Sequence, residues 1–94
     1  MKTLQKPTAS RIFHVNRLKP PYKVVLINDD VNYRSWVIRI VSNVVDMPVY
    51  EATQKVAEAH AWGRATLKTC EMEQAENYCQ NLRDYGISSN IEPC

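Results

Sequence analysis

The chain has 94 residues, of which 45% are hydrophobic and 23% charged. That composition suits one small folded domain, because a second core would have to form from fewer than about 50 residues. No apolar run approaches the roughly 20 residues that a membrane-spanning helix needs, and no continuous apolar block opens the chain, so a soluble intracellular protein without a membrane partner is expected. Cys70, Cys79 and Cys94 are odd in number and form no C-x-x-C pair, His14 and His60 lie far apart, and Gly63 and Gly86 are the only glycines. A disulfide framework, a zinc site and a Gly-rich phosphate loop are therefore disfavoured, and neither a metal nor a cofactor is expected.

The formal net charge of +2 hides an asymmetry. Residues 1–28 carry Lys2, Lys6, Arg11, Arg17, Lys19 and Lys23 and no acid, a charge of +6, while all ten acidic residues and six basic ones follow from Asp29 onward, a charge of −4. Residues 1–18 read as a flexible basic extension and residues 19–94 as the folded domain. The extension has two readings on composition, a solvated tail or a nucleic-acid contact.

Lys19-Pro20-Pro21 is stiff and cannot begin a helix, and Tyr22-Lys23-Val24-Val25-Leu26-Ile27 after it is rich in β-branched and aromatic residues, as a strand requires. Asn28-Asp29-Asp30 ends that strand, and Asn32 is placed to cap the next helix. Trp36, Val37, Ile40, Val41 and Val44 recur at helical spacing and predict an amphipathic helix from about Tyr33 to Val45. Asp46-Met47-Pro48 breaks it. A second helix begins at Val49, buries Ala52, Val56 and Ala59, and closes at Gly63. Arg64 to Cys70 alternates as a strand with one wet face. Glu71 and Glu73 favour the start of a third helix, in which Ala75, Tyr78, Cys79 and Leu82 form the buried stripe and Gly86 the end, and Ile87 to Glu92 is the last strand. The order β-α-α-β-α-β predicts an α+β sandwich, a small three-stranded antiparallel sheet with three helices on one face.

The densest polar feature is Asn28-Asp29-Asp30 at a strand end. It reads either as a charged turn facing a helix start or as a cation site, since two carboxylates and an amide oxygen present acceptors to one point. It is not a calcium loop, which needs acids at alternating positions and a closing glutamate. His60, near the end of the second helix, reads as a capping or core residue unless a further argument gives it a role. No serine stands in an activating pattern, so no catalytic residue is assigned and an enzyme is not expected.

These residues nevertheless resemble a known family. Pro20-Pro21-Tyr22-Lys23-Val24-Val25-Leu26-Ile27-Asn28-Asp29-Asp30, then Glu51-Ala52-Thr53, then Ala59-His60-x-x-Gly63-Arg64-Ala65, look like ClpS, the adaptors that deliver substrates to Clp AAA+ proteases. The resemblance runs from about Lys19 to Glu92, and the ending Gly86 to Pro93 together with Asn32 and Arg34 looks most like the cyanobacterial and plastid branch. It implies binding of an N-degron, a substrate whose first residue is bulky and hydrophobic and carries a free α-amine. Asn28, Asp29, Asp30 and His60 would then surround the amine, and Asn32, Arg34, Val37, Val56, Ala59 and Ile87 would form the side-chain pocket. Arg34 and Val56 stand where many bacterial members have methionine, and Ala59 where they have valine.

The same resemblance implies docking on the N-terminal domain of a Clp unfoldase through Glu73, with Tyr78 at a position that is basic in other members. ClpC is expected rather than ClpA, and the protein is expected to be a monomer that does not bind nucleic acid. The basic extension resembles the segment that the unfoldase pore engages, and the cytoplasm, or alternatively the plastid stroma, is the expected location. Two other functions stay open at this point. The +6 arm and a fold resembling the C-terminal domain of the ribosomal stalk protein suggest a small nucleic-acid- or ribosome-associated domain. A hydrolase would have to use Asp29, Asp30 and His60.

Overall fold

A computed structural model describes residues 20–94, and the basic extension assigned to residues 1–18 lies outside the described residues. The order is β1 (Tyr22–Ile27), α1 (Arg34–Val45), α2 (Val49–Trp62), β2 (Arg64–Cys70), α3 (Met72–Asp84) and β3 (Ser89–Pro93). β1 is the central strand, antiparallel to β2 on one side and to β3 on the other. Its run of Val24, Val25 and Leu26 is buried throughout, as a strand with neighbours on both edges and cover on its faces must be.

Among the described residues a hydrophobic core lies on the sheet face that bears Val24 and Leu26, and α1, α2 and α3 contribute to it. Val37, Val41 and Val45 come from α1, Ala52, Val56 and Ala59 from α2, and Ala75 and Leu82 from α3. These are the apolar positions that recur at helical period, and each larger side chain so buried contributes about 1.5–3 kcal/mol. The small residues Ala52, Ala59 and Ala75 allow close approach of the helices to the sheet.

The chain breaks have local causes. α1 ends at Asp46, held at φ 58 in the left-handed region, and the Ser42 hydroxyl donates to the Met47 carbonyl at 2.7 Å to close the turn. α2 ends at Gly63, φ 92, whose N–H reaches the Ala59 carbonyl at 2.7 Å; a side chain at that angle would be strained. β3 begins at Ser89 rather than at Ile87. The Ile87 N–H turns back to the Leu82 carbonyl at 3.0 Å, while the Ser88 carbonyl accepts from Ile27 N–H at 3.0 Å. The Arg83 guanidinium then donates to the Ser89 carbonyl at 2.8 and 3.0 Å, fastening β3 to the end of α3.

On the opposite face of the sheet, Arg64 is registered with Ile27 and Glu92 with Lys23. Their side chains nevertheless form an ion pair, so it strides diagonally over the central strand above Val25, which lies between those two levels and is fully buried. The right-handed sheet twist brings opposite corners of the two outer strands together on one diagonal. A register shift in β2 opposite Val24 and Val25 leaves Leu67 without a partner in β1, and past it Lys68 faces the core side, its amine 5.7 Å from the centre of the Tyr78 ring.

Candidate functional site

The loop from Asn28 to Tyr33 connects the central strand to α1, and its backbone is held at both ends. Asn28 N–H donates to the Gly63 carbonyl at 3.0 Å, joining the loop to the C-terminal end of α2. Asp29 organises the rest. Its Oδ1 accepts from the backbone N–H of Val31 at 2.7 Å and of Asn32 at 3.1 Å, and its Oδ2 accepts from Asn32 Nδ2. The Asn32 side-chain amide, these backbone N–H groups and the ionised carboxylate stabilise one another, and the Asp29 carboxyl is held below the usual carboxylate range, chiefly by Asn32 and against a smaller opposing effect of burial.

This corrects the expected role of Asn32. α1 is preceded by Tyr33, which makes no side-chain cap bond, and Asn32 instead donates to Asp29 and, at 3.1 Å, to the Gly86 carbonyl after α3. The carboxylate one turn earlier is the better acceptor for a side-chain amide than the helix's own N–H groups are donors to it, because a charged hydrogen bond is roughly twice as strong as a neutral one. Of the two readings of Asn28-Asp29-Asp30, the turn fits Asp29. Asp29 closes a turn ahead of the helix, whereas Asp30 is exposed and makes one long contact, accepting from Asn28 Nδ2 at 3.4 Å. Among the described residues no group of three or more His, Cys, Asp or Glu side chains is gathered as a metal site would require.

Beside the loop, between α1 and α2, lies a cavity of about 190 Å³ lined by Leu26, Ile27, Asn28, Asp29, Asp30, Asn32, Arg34, Val37, Val56, Ala59 and His60. One wall is the polar loop with the exposed His60 from the last turn of α2. The other is apolar, built from the buried Val37, Val56 and Ala59, with Arg34 exposed at the first position of α1. An apolar cavity of about 150 Å³ accepts a benzene ring, and drug-sized or nucleotide-sized ligands occupy about 300 Å³ or more, so the space suits one large side chain. A carboxylate offers about four acceptor sites, and Asp29 has one left after its three internal bonds. Acceptors also remain on Asn28, Asp30 and one ring nitrogen of a neutral His60.

Of the residues expected around a pocket, Ile87 stands apart. It is 1% exposed, belongs to the core, and lines a separate depression with Arg83, Gly86 and Asn90 instead of this cavity. Leu26 and Ile27 line the cavity and did not figure among the expected pocket residues, although as the last two residues of a strand running into the acidic loop they had to lie under it. Glu73 is exposed in the first turn of α3, and Tyr78, half-buried one and a half turns on, packs against the core with Gln74 Nε2 3.4 Å from its hydroxyl.

An α+β module of this size, with one cavity wall of acceptors and the other apolar, has the makings of a receptor for a small cation attached to a hydrophobic group. The comparisons with known proteins give it a family. The family model described as ATP-dependent Clp protease adaptor protein ClpS matches residues 17–92, and the chain belongs to the ClpS family. It is 35% identical to the Clp protease adapter protein ClpS of Synechococcus elongatus, over 99% of this chain and 96% of that one. With the chloroplastic Clp protease adapter protein of Chlamydomonas reinhardtii it shares 39% identity, over 97% of this chain and 56% of that longer one. The structure of Agrobacterium tumefaciens ClpS2 bound to L-phenylalaninamide superimposes with a TM-score of 0.77 at 28% identity, covering 80% of this chain and 98% of that one. The likeness to cyanobacterial and chloroplast members agrees with the branch read from Asn32, Arg34 and the chain ending. No helix among the described residues is long and apolar enough to cross a membrane.

Proposed function

We propose that this protein is an adaptor that takes the free N-terminal residue of a substrate into the cavity and delivers the substrate to a Clp unfoldase. The observation that carries the reading is the pairing, within one cavity of about 190 Å³, of an acceptor wall with an apolar wall. An α-ammonium has three N–H donors, and burying it without partners is very costly, whereas each hydrogen bond to a charged group contributes about 1.5–3 kcal/mol. Asn28, Asp29 and His60 accept from it, and Asp30 strengthens the negative field. Val37, Val56 and Ala59 receive the side chain, and full burial of a phenylalanine there contributes roughly 2–3 kcal/mol. The ligand of the Agrobacterium relative, an amide of phenylalanine with a free amine, has both chemical parts.

Several finer features belong to the same proposal. Glu73 and Tyr78 form the unfoldase-docking side, the unfoldase is of the ClpC type in keeping with the cyanobacterial and chloroplast likeness, the protein acts as a monomer in the cytoplasm or plastid stroma, and residues 1–18 serve in delivery. Residues 20–94 hold seven lysines and arginines against ten acids, so any nucleic-acid contact would fall to the basic extension and not to the domain that carries the cavity. The test is a titration with a Phe-first peptide and its N-acetylated form. Acetylation removes the charge and two donors, and binding of the free peptide alone is the expected result; equal affinity for both forms rules the reading out.

A further inference from the structure

Arg34 is the only lysine or arginine among the residues lining the cavity, whose other ionisable members are Asp29, Asp30 and His60. It is exposed, and among the described residues no carboxylate lies within ion-pairing distance of it. Its situation differs from that of Arg64, paired with Glu92, and of Arg83, whose guanidinium donates to Ser89 and Asn90. A guanidinium with five donors thus stands at a cavity that otherwise presents acceptors and negative charge.

Resting on the reading of the cavity as the seat of a free N-terminal residue, we infer that Arg34 forms a subsite for an acidic side chain on the second residue of the substrate. The cavity of about 190 Å³ holds one side chain. The second residue begins only about 3.8 Å further along the chain and has to leave through the mouth, within the span of an arginine side chain anchored there. Left to Asp29 and Asp30, the mouth would repel an aspartate or glutamate at that position and favour a lysine. Arg34 reverses the sign locally, and its planar fork matches a carboxylate in two parallel hydrogen bonds. The site lies in solvent, so the preference is modest and falls with salt.

The experiment measures four peptides on the full chain at low salt and again at high salt: Phe-Glu-, Phe-Gln- and Phe-Lys-starting sequences, and N-acetylated Phe-Glu-. On the wild-type protein the Glu peptide is expected to bind about threefold to tenfold tighter than the Lys peptide, with Gln between them, and high salt should compress the spread. In Arg34→Gln the order should flatten or invert, and in Arg34→Glu the Lys peptide should lead. A Glu-to-Lys ratio unchanged by Arg34→Gln overturns the subsite. So does an equal loss for both peptides, which would put the guanidinium on the peptide backbone. The acetylated peptide keeps the two readings apart: if it binds as well as the free one, the N-terminal reading fails whatever the ratio does, and if no peptide binds, both fail together.

Discussion

The two walls of the cavity are built differently. The polar wall is a loop whose backbone and side chains are already bonded to one another: Asp29 accepts three hydrogen bonds, Asn32 links it to Gly86, and Asn28 is tied to Gly63. The apolar wall is made of side chains on two helices, Val37 on α1 and Val56 and Ala59 on α2, each of which could be exchanged for another apolar residue without disturbing a hydrogen bond. A substitution on the first wall therefore disturbs a bonded network, while one on the second changes volume alone. On the proposed reading, recognition of the amine would fall to the constrained wall and selection among side chains to the adjustable one.

Asp29→Ala tests this contrast most severely. It leaves the N–H groups of Val31 and Asn32 without their acceptor and the Asn32 amide with the Gly86 carbonyl alone, and it removes a carboxylate from the proposed acceptor wall. Stability should fall by roughly 1–3 kcal/mol and peptide affinity by about tenfold or more, read from urea unfolding and fluorescence anisotropy. A change under twofold in affinity would reduce Asp29 to a turn residue.

Acid provides a second test on the same wall. Because the Asp29 carboxyl is held below its ordinary range, the folded protein takes up its proton less readily than the unfolded chain does. Its stabilising contribution is complete above the unfolded carboxyl's value of about 4 and disappears as the pH drops through the lower folded value. The stability gap between wild type and Asp29→Asn should be flat from pH 7 to about 5 and close below about 4.

Ala59→Val acts on the other wall. Two added methyls take space from the cavity, and a Phe-first peptide should lose about threefold to tenfold in affinity, more than a Leu-first peptide, while the requirement for a free amine persists. If both peptides lose equally, the two walls are coupled. The smallest effect is expected far from either. Asp46→Gly relieves the left-handed angle at the end of α1 but adds backbone freedom to the unfolded chain, for a net gain of about 0.5 kcal/mol with peptide affinity unchanged.

Most of the fold was legible because each element carries its own local signal. Val24-Val25-Leu26 and the wet-face alternation of β2 mark strands, and Gly63 marks the end of α2 through a backbone angle that only one residue type takes easily. The misread positions depend on partners distant in sequence. Asn32 has the composition of a cap, yet its acceptors are Asp29 and a carbonyl 54 residues away. Ile87 has the composition of a strand, yet its N–H is claimed by Leu82 at the end of α3. The diagonal pairing of Arg64 with Glu92 requires sheet twist, and the meeting of Lys68 with Tyr78 requires the irregular register of β2, neither of which leaves a mark on composition. At the candidate site, Asn28, Asp29, Asp30 and His60 were legible as a set only through resemblance, because α2 must fold back before His60 comes near the loop.

The bond from Asn28 N–H to the Gly63 carbonyl joins the acidic loop to the turn directly after the helix end that carries His60. Two parts of the chain 35 residues apart, Asn28 and Gly63, are thereby clamped into one jaw before any guest arrives. A guest meeting a clamped jaw does not have to order it, so tight and loose guests should be captured at similar rates and differ in how long they stay. Amide hydrogen exchange at Asn28 offers a direct gauge of that clamp, since it reports how often the jaw opens by itself.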